Sequence, residues 1–130
     1  MSTFNAIGVA GTGVTVYRKW LDAVSDNIAN VDNVSRTSEN AFQARYVVAQ
    51  EAQDGNGAQV GGIAYGSAEG RLSYEPDNPL ADTEGYVRRP DIDLGSQMAQ
   101  MIMAQRAYQA NLSVVDRARD SYTAAINLGK

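Results

Sequence analysis

The sequence predicts a mainly helical α+β protein: long N- and C-terminal helices paired as an antiparallel coiled coil, with a small β-hairpin insertion between them. Three observations predict it. Apolar residues near each end recur at alternating steps of three and four. The middle of the chain loses that period and gains β-branched, aromatic, glycine and proline residues. Neither periodic end can bury its stripe alone, so the two need each other.

Residues 1–38 hold the first helix and its exit. From about Thr3 to Val31 the series Ile7, Ala10, Val14, Tyr17, Leu21, Val24, Ile28, Val31 fills every seam position, which is one continuous heptad pattern. Such a helix is roughly 40 Å long. Gly8, Gly11 and Gly13 lie inside it, each costing about 1 kcal/mol relative to alanine. The run Val14-Thr15-Val16 weakens it further through restricted χ1 freedom. The helix therefore takes its order from a partner.

Residues 91–130 supply that partner. The series Leu94, Met98, Met101, Gln105, Tyr108, Leu112, Val115, Arg119, Tyr122, Ile126 again alternates four and three, and is apolar or aromatic except at Gln105 and Arg119. Asp91 and Asp93 stand where carboxylates favour a helix start, and Gly129 stands at a candidate cap. The expected helix is roughly 55 Å long.

The insertion covers residues 39–90. Phe42–Glu51 is strand-like, Asp54-Gly-Asn-Gly is a turn signal, and 59–65 and 70–74 look like two further short strands. Pro76, Pro79 and Pro90 then mark an extended segment, since proline cannot continue a ladder. The simplest assembly pairs the terminal helices and projects two or three strands from the far end. Phe4, Trp20, Ile102 and Val114 remain on the outer sides of the helices, which argues that neighbouring subunits cover them.

Composition narrows function by exclusion. A hydrophobic fraction of 44% with 20% charged residues is that of a folded domain. The net charge of −4 and the scattering of Lys and Arg give no stripe for nucleic acid phosphates. No apolar run reaches the length of a membrane span, and the start Met1-Ser-Thr-Phe-Asn has no basic region of the kind that opens a secretory signal.

Cysteine and histidine are both absent, which removes disulfides, thiolate chemistry and the commonest base and metal ligand. Asp77, Asp82 and Glu84 could serve as a carboxylate pair or calcium ligands, but their spacing fits no calcium loop. A solvated turn built on Asp and Asn hydrogen bonds explains them more simply. Gly8-x-x-Gly11-x-Gly13 has neither dinucleotide nor Walker spacing. Close helix approach accounts for these glycines better. Tyr17, Trp20, Tyr108, Tyr122 and the methionines 98, 101 and 103 fit packing at helical spacing better than a stacking platform. No catalytic, cofactor-binding or metal-ligating residue is expected.

Asn27-Ile-Ala-Asn30-Val is less ordinary, because asparagine is a poor helix former. Two readings stand side by side: a helix exit whose side chains bond free carbonyls, and an assembly contact. The segment resembles the NLAN/NIAN motif of the axial proteins of the bacterial flagellum, its rod and hook proteins. Tyr74-Glu-Pro-Asp-Asn-Pro-Leu-Ala-Asp-Thr-Glu-Gly-Tyr-Val-Arg-Arg-Pro90 resembles the YDP–HPLAD–GYV–P signature of one short rod member. Arg106-Ala-Tyr108-Gln-Ala-Asn111 is similar to the RAYEAN motif on that member's last helix. The resemblance covers nearly the whole chain. It departs at Pro90-Asp-Ile-Asp93, where the family has Pro-Asn-Val-Asp, at Ser96-Gln-Met98, where Thr-Glu-Met is usual, and in the Ser/Arg/Glu-rich stretch 33–40.

The resemblance implies a structural subunit of the flagellar rod. It implies export without a cleaved signal peptide through a type III apparatus, and a place in the periplasmic part of the basal body. Its partners would be further copies of itself, other rod proteins, the export apparatus and ring components, with no nucleic acid and no small-molecule substrate. A heterologous, non-closing interface is what a tube of such subunits requires. Helix packing falls to Ile7, Val14, Leu21, Val24 and Ile28 against Met101, Tyr108, Leu112 and Val115. Asn27, Asn30, Tyr108 and Asn111 are the motif-bearing assembly positions. The competing class is a soluble coiled-coil adaptor or secreted cargo that binds one partner without polymerising, and behind it a carboxylate-based wall hydrolase.

Overall fold

The computed structural model describes residues 3–129. The elements in chain order are helix α1 (Thr3–Ala29), strands β1 (Arg45–Glu51), β2 (Ala58–Tyr65), β3 (Arg71–Tyr74) and β4 (Tyr86–Arg89), and helix α2 (Leu94–Leu128). They form two two-stranded sheets, β1–β2 and β3–β4, and two long helices that pack on each other. The mainly helical α+β class is the one the heptad patterns predict.

Both helix boundaries are set by side chains. α1 stops at Ala29, where the Asn30 N–H shares the Asp26 and Asn27 carbonyls and its Nδ2 donates again to the Asp26 carbonyl at 2.8 Å. α2 begins at Leu94 because Asp93 caps it: the Ser96 N–H donates to Asp93 Oδ2 at 2.8 Å, and the Gln97 N–H bonds the Asp93 carbonyl at 3.0 Å. A side-chain acceptor for the third helical N–H is the expected N-cap arrangement.

The chain folds as two compact units. The first comprises α1 up to Leu21, the segment Val47–Gly62 and α2 from Ile102 onward. Its helices run antiparallel: Phe4 meets Tyr122 edge-on with ring centroids 4.8 Å apart, and Gly13 faces Asn111. Ala10, Val16 and Ala104 are its buried core. Here the insertion departs from expectation. The tip of the β1–β2 hairpin lies on α1, where the Ala58 N–H donates to Thr12 Oγ1 at 3.1 Å. The Thr12 hydroxyl in turn donates to the Val9 carbonyl at 2.7 Å. Gly57 sits at φ +109° and so near Thr12 that a Cβ would overlap its side chain. A lone two-stranded hairpin is marginal in water. Lying along a helix gives it a partner that projecting from the end would not.

The second unit comprises Asp22–Tyr46 and Ile63–Met101. Val24, Asn27, Val87 and Pro90 are fully buried in it, with Ala23, Ala41, Ala44, Ile92 and Gln97 close behind. β3 and β4 pair antiparallel in the register Arg71↔Arg89 to Tyr74↔Tyr86. Ser35 adds a two-bond bridge to Arg88. The prolines predict an extended segment through 86–89, and the structure makes these residues a paired strand. Pro76 and Pro79 lie in the loop before it, so Tyr86-Val-Arg-Arg keeps all its backbone donors and is free to pair.

Candidate assembly surface

The two asparagines of the NIAN motif do different things. Asn27 is completely buried, and its carboxamide makes a two-point clamp on one backbone unit. Oδ1 accepts from the Arg45 N–H at 2.7 Å, while Nδ2 donates to the Arg45 carbonyl at 2.9 Å and to Gln97 Oε1 at 3.0 Å. One side chain thus joins α1, the start of β1 and the first turns of α2 within the second unit. Burying it is tolerable because both polar atoms are bonded. Only an amide can do this, since the site requires one acceptor and two donors in a single plane. Asn30 is half-buried and bonds its own helix end, which is the helix-exit arrangement. On the other helix, Asn111 Nδ2 donates to the Ala107 carbonyl at 2.9 Å, and its Oδ1 lies only 2.8 Å from where a Cβ on Gly13 would sit. Gly13 is therefore the glycine that allows close helix approach, whereas Gly8 and Gly11 face open space.

The loop between β3 and β4 is locked by polar bonds, which is where its carboxylates are used. Arg89 Nε donates to Glu75 Oε1 at 2.6 Å. That guanidinium, with the Asn78 amide, holds the Glu75 carboxyl at about 2, against an ordinary 4.5. Asp82 Oδ1 accepts from the backbone N–H groups of Tyr86 and Glu84, and its Oδ2 accepts from the Thr37 hydroxyl. The Tyr86 N–H is the largest cause of its lowered pKa. Arg88 reaches the other way, donating to the Glu69 and Thr37 carbonyls at 2.6 and 2.8 Å. Among the described residues no three metal-ligating side chains gather. These carboxylates organise turns.

The helical seam is only partly covered by the chain itself. On α1, Val24 is buried and Ile7, Val14, Leu21 and Ile28 are half-buried. The fully covered positions also include Val16, Ala23 and Asn27, which rotates the inner face by about one residue from the expected series. On α2 the rotation matters more. The line Gln97, Met101, Ala104, Tyr108, Asn111, Val115, Ala118 is the covered one, each residue buried or half-buried. Leu94, Met98 and Leu112 lie on its flank and stay 43, 55 and 41% exposed. Ile102, Met103 and Val114 are also exposed. Met101, Tyr108 and Val115 of the predicted seam share the contact line with the small and amide side chains of Gln97, Ala104, Asn111 and Ala118, whereas Leu94, Met98 and Leu112 point past it. Such a run of uncovered apolar side chains along one helix is more than scattered surface leucines require.

Sequence reasoning missed Gln97 and the Arg45 peptide, the partners of Asn27. It also missed Thr12, which holds the hairpin. The departure at Ser96-Gln97-Met98 is the only sequence signal that touched this group, since a buried glutamine in place of an acid fits an amide-to-amide bond.

Comparison with known proteins agrees with the motifs. Residues 83–128 match the family described as flagellar basal body rod FlgEFG protein C-terminal. Over the full length of both chains, the protein is 34% identical to the flagellar basal-body rod protein FlgC of Yersinia enterocolitica and 32% identical to that of Salmonella typhimurium. The FlgC of Bacillus subtilis aligns over its full length at 26% identity. These relatives are structural rod proteins, not enzymes. With a full-length match above 30% identity, the NIAN and RAYQAN motifs in place and an apolar helix face uncovered, the chain belongs to the family of flagellar basal-body rod proteins FlgC.

Proposed function

We propose that the chain is a subunit of the proximal rod, polymerising helically through its terminal helices into the hollow shaft that transmits torque. The observation that carries this reading is the α2 flank of Leu94, Met98, Ile102 and Leu112, which the chain leaves in solvent. In a tube each of these becomes core when a neighbour covers it, and a heterologous contact of this kind continues without closing. The helical ends, 1–38 and 91–130, supply the packing surface and 39–90 the insertion. Ile7, Val14, Leu21, Ile28, Met101, Tyr108, Leu112 and Val115 line that surface on this reading, and Val24, fully buried within the chain, packs the helix behind it. Asn27, Asn30 and Asn111 fix the shape of the subunit that presents it. Its neighbours are further copies of itself and other rod proteins, and its route is type III export into the periplasm.

Mass spectrometry of detergent-purified basal bodies tests this directly. Recovery of the chain in several copies per body is the expected result. Its absence from bodies that retain the other rod proteins would overturn the reading in favour of a non-polymerising adaptor.

A further inference from the structure

The turn joining β1 and β2 contains Asn56–Gly57, the single asparagine–glycine step in the sequence. At six other asparagines the next residue shields or removes the following amide. Ile28, Val31 and Val34 are β-branched, Leu112 and Leu128 are bulky, and Pro79 has no N–H. Only Asn5 and Asn40 precede a residue as small as alanine. Asn56 itself is exposed, at the end of the run Asp54-Gly-Asn-Gly. Its N–H donates to Asp54 Oδ1 at 3.1 Å and its Nδ2 to the Asp54 carbonyl at 3.2 Å. Gly57 has no side chain to crowd its nitrogen, and its φ of +109° is one that L-residues rarely adopt.

We propose that Asn56 is a site of spontaneous deamidation, and that its conversion unlatches the hairpin from α1. The Gly57 nitrogen, on losing its proton to solvent base, attacks Asn56 Cγ. The N–Cγ bond forms, the Cγ–Nδ2 bond breaks, and Nδ2 leaves with a solvent proton as ammonia. Water then opens the cyclic imide. Cleavage of the N–Cγ bond gives an aspartyl residue. Cleavage at the main-chain carbonyl gives an isoaspartyl residue, whose backbone runs one methylene longer. Nothing is oxidised or reduced.

The longer backbone has little room. The Gly57 carbonyl accepts from the Ala52 N–H at 3.0 Å, and the next N–H, that of Ala58, is the one held by the Thr12 hydroxyl. Gly57 cannot move toward α1, because Thr12 already fills the space a Cβ would take. The extra methylene therefore strains the Ala58–Thr12 bond, and the new carboxylate stands beside Asp54. This inference is independent of the rod reading.

The test is to age the purified full-length chain in mildly alkaline buffer and map each asparagine by peptide mass spectrometry with isoaspartyl-specific methyl labelling. The gain of about one mass unit is expected at Asn56 at least about tenfold faster than at Asn40, which corresponds to a modest barrier difference. Hydrogen exchange at Ala58 should rise in the aged chain and stay constant in an equally aged Asn56→Gln variant, whose longer side chain does not form the five-membered ring. Conversion at Asn40 as fast as at Asn56 would overturn the site. Conversion at Asn56 with unchanged Ala58 protection would overturn the unlatching.

Discussion

Replacing Asn27 by alanine removes three hydrogen bonds at a position with no solvent access. A net bond contributes about 1 kcal/mol, and a buried group left without its partner costs about 1–3 kcal/mol. Gln97 is buried and loses the amide that satisfied its Oε1, whereas the Arg45 peptide is nearer the surface and recovers part of its loss from water. The expected destabilisation is therefore about 3–5 kcal/mol. At roughly 3 °C per kcal/mol for a chain of this length, Tm falls by about 10–15 °C. Urea unfolding of the isolated chain, with hydrogen exchange at the Arg45 amide, reads both consequences. In a Gln97→Ala background the same change should cost about 1 kcal/mol less, because the shared bond is already gone. Asn27→Asp separates the functions of the two polar atoms: it keeps the acceptor for the Arg45 N–H and loses the donor to the Arg45 carbonyl. A change within 1 kcal/mol of the parent with Arg45 still protected would refute the clamp (about the net worth of one bond).

Leu112→Asp, at an exposed position on the α2 flank, should leave the helicity and unfolding midpoint of the isolated chain within about 0.5 kcal/mol of the parent yet abolish rod assembly. Normal motility in a strain carrying only that variant would contradict the surface assigned here. Gly8→Ala places a methyl in open space and should stabilise α1 by about 0.5–1 kcal/mol. Gly13→Ala must displace the Asn111 amide and should give no such gain; equal stabilisation by both would show that Asn111 yields freely.

Acid should weaken the β3–β4 loop through Glu75. Its folded pKa of about 2 lies below the ordinary 4.5, so its contribution is complete above the unfolded value and is lost as pH falls through the folded one. Glu75→Gln should flatten the stability profile between about pH 4.5 and 2. An unchanged acid limb would assign that limb to other carboxylates, Asp82 among them.

The helices were legible because a heptad repeat is a one-dimensional signal: spacing alone says which residues share a face. The strand content of 45–51 and 58–65 and the turn between them were legible from β-branched residues and the Asp-Gly-Asn-Gly run. β4 was not, because proline punctuation and two arginines hide a strand whose partners are residues 71–74 and Ser35. The motif residues Asn27, Asn30 and Asn111 stood out as unusual, but their tasks did not. Asn27 finds its partners at Arg45 and Gln97, and no local pattern encodes pairs so distant in sequence. The covered line of α2 was foreseen at Met101, Tyr108 and Val115 but not at Gln97, Ala104, Asn111 and Ala118. Leu94, Met98 and Leu112 are large apolar residues of the series, and hydrophobicity alone assigns them inward, yet they stay exposed.

By itself the sequence determined the element types, the antiparallel pairing of the ends, the absence of histidine and cysteine chemistry, and the resemblance to flagellar axial proteins. The first three follow from spacing or composition and the resemblance from short motifs, all of which a linear chain carries whole. Only the tertiary structure decided that the hairpin lies along α1, that Asn27 clamps the Arg45 peptide, and which side of α2 remains open. Those outcomes depend on how closely two backbones approach. Gly13 against Asn111 and Gly57 against Thr12 set that distance through contacts between residues far apart in the chain.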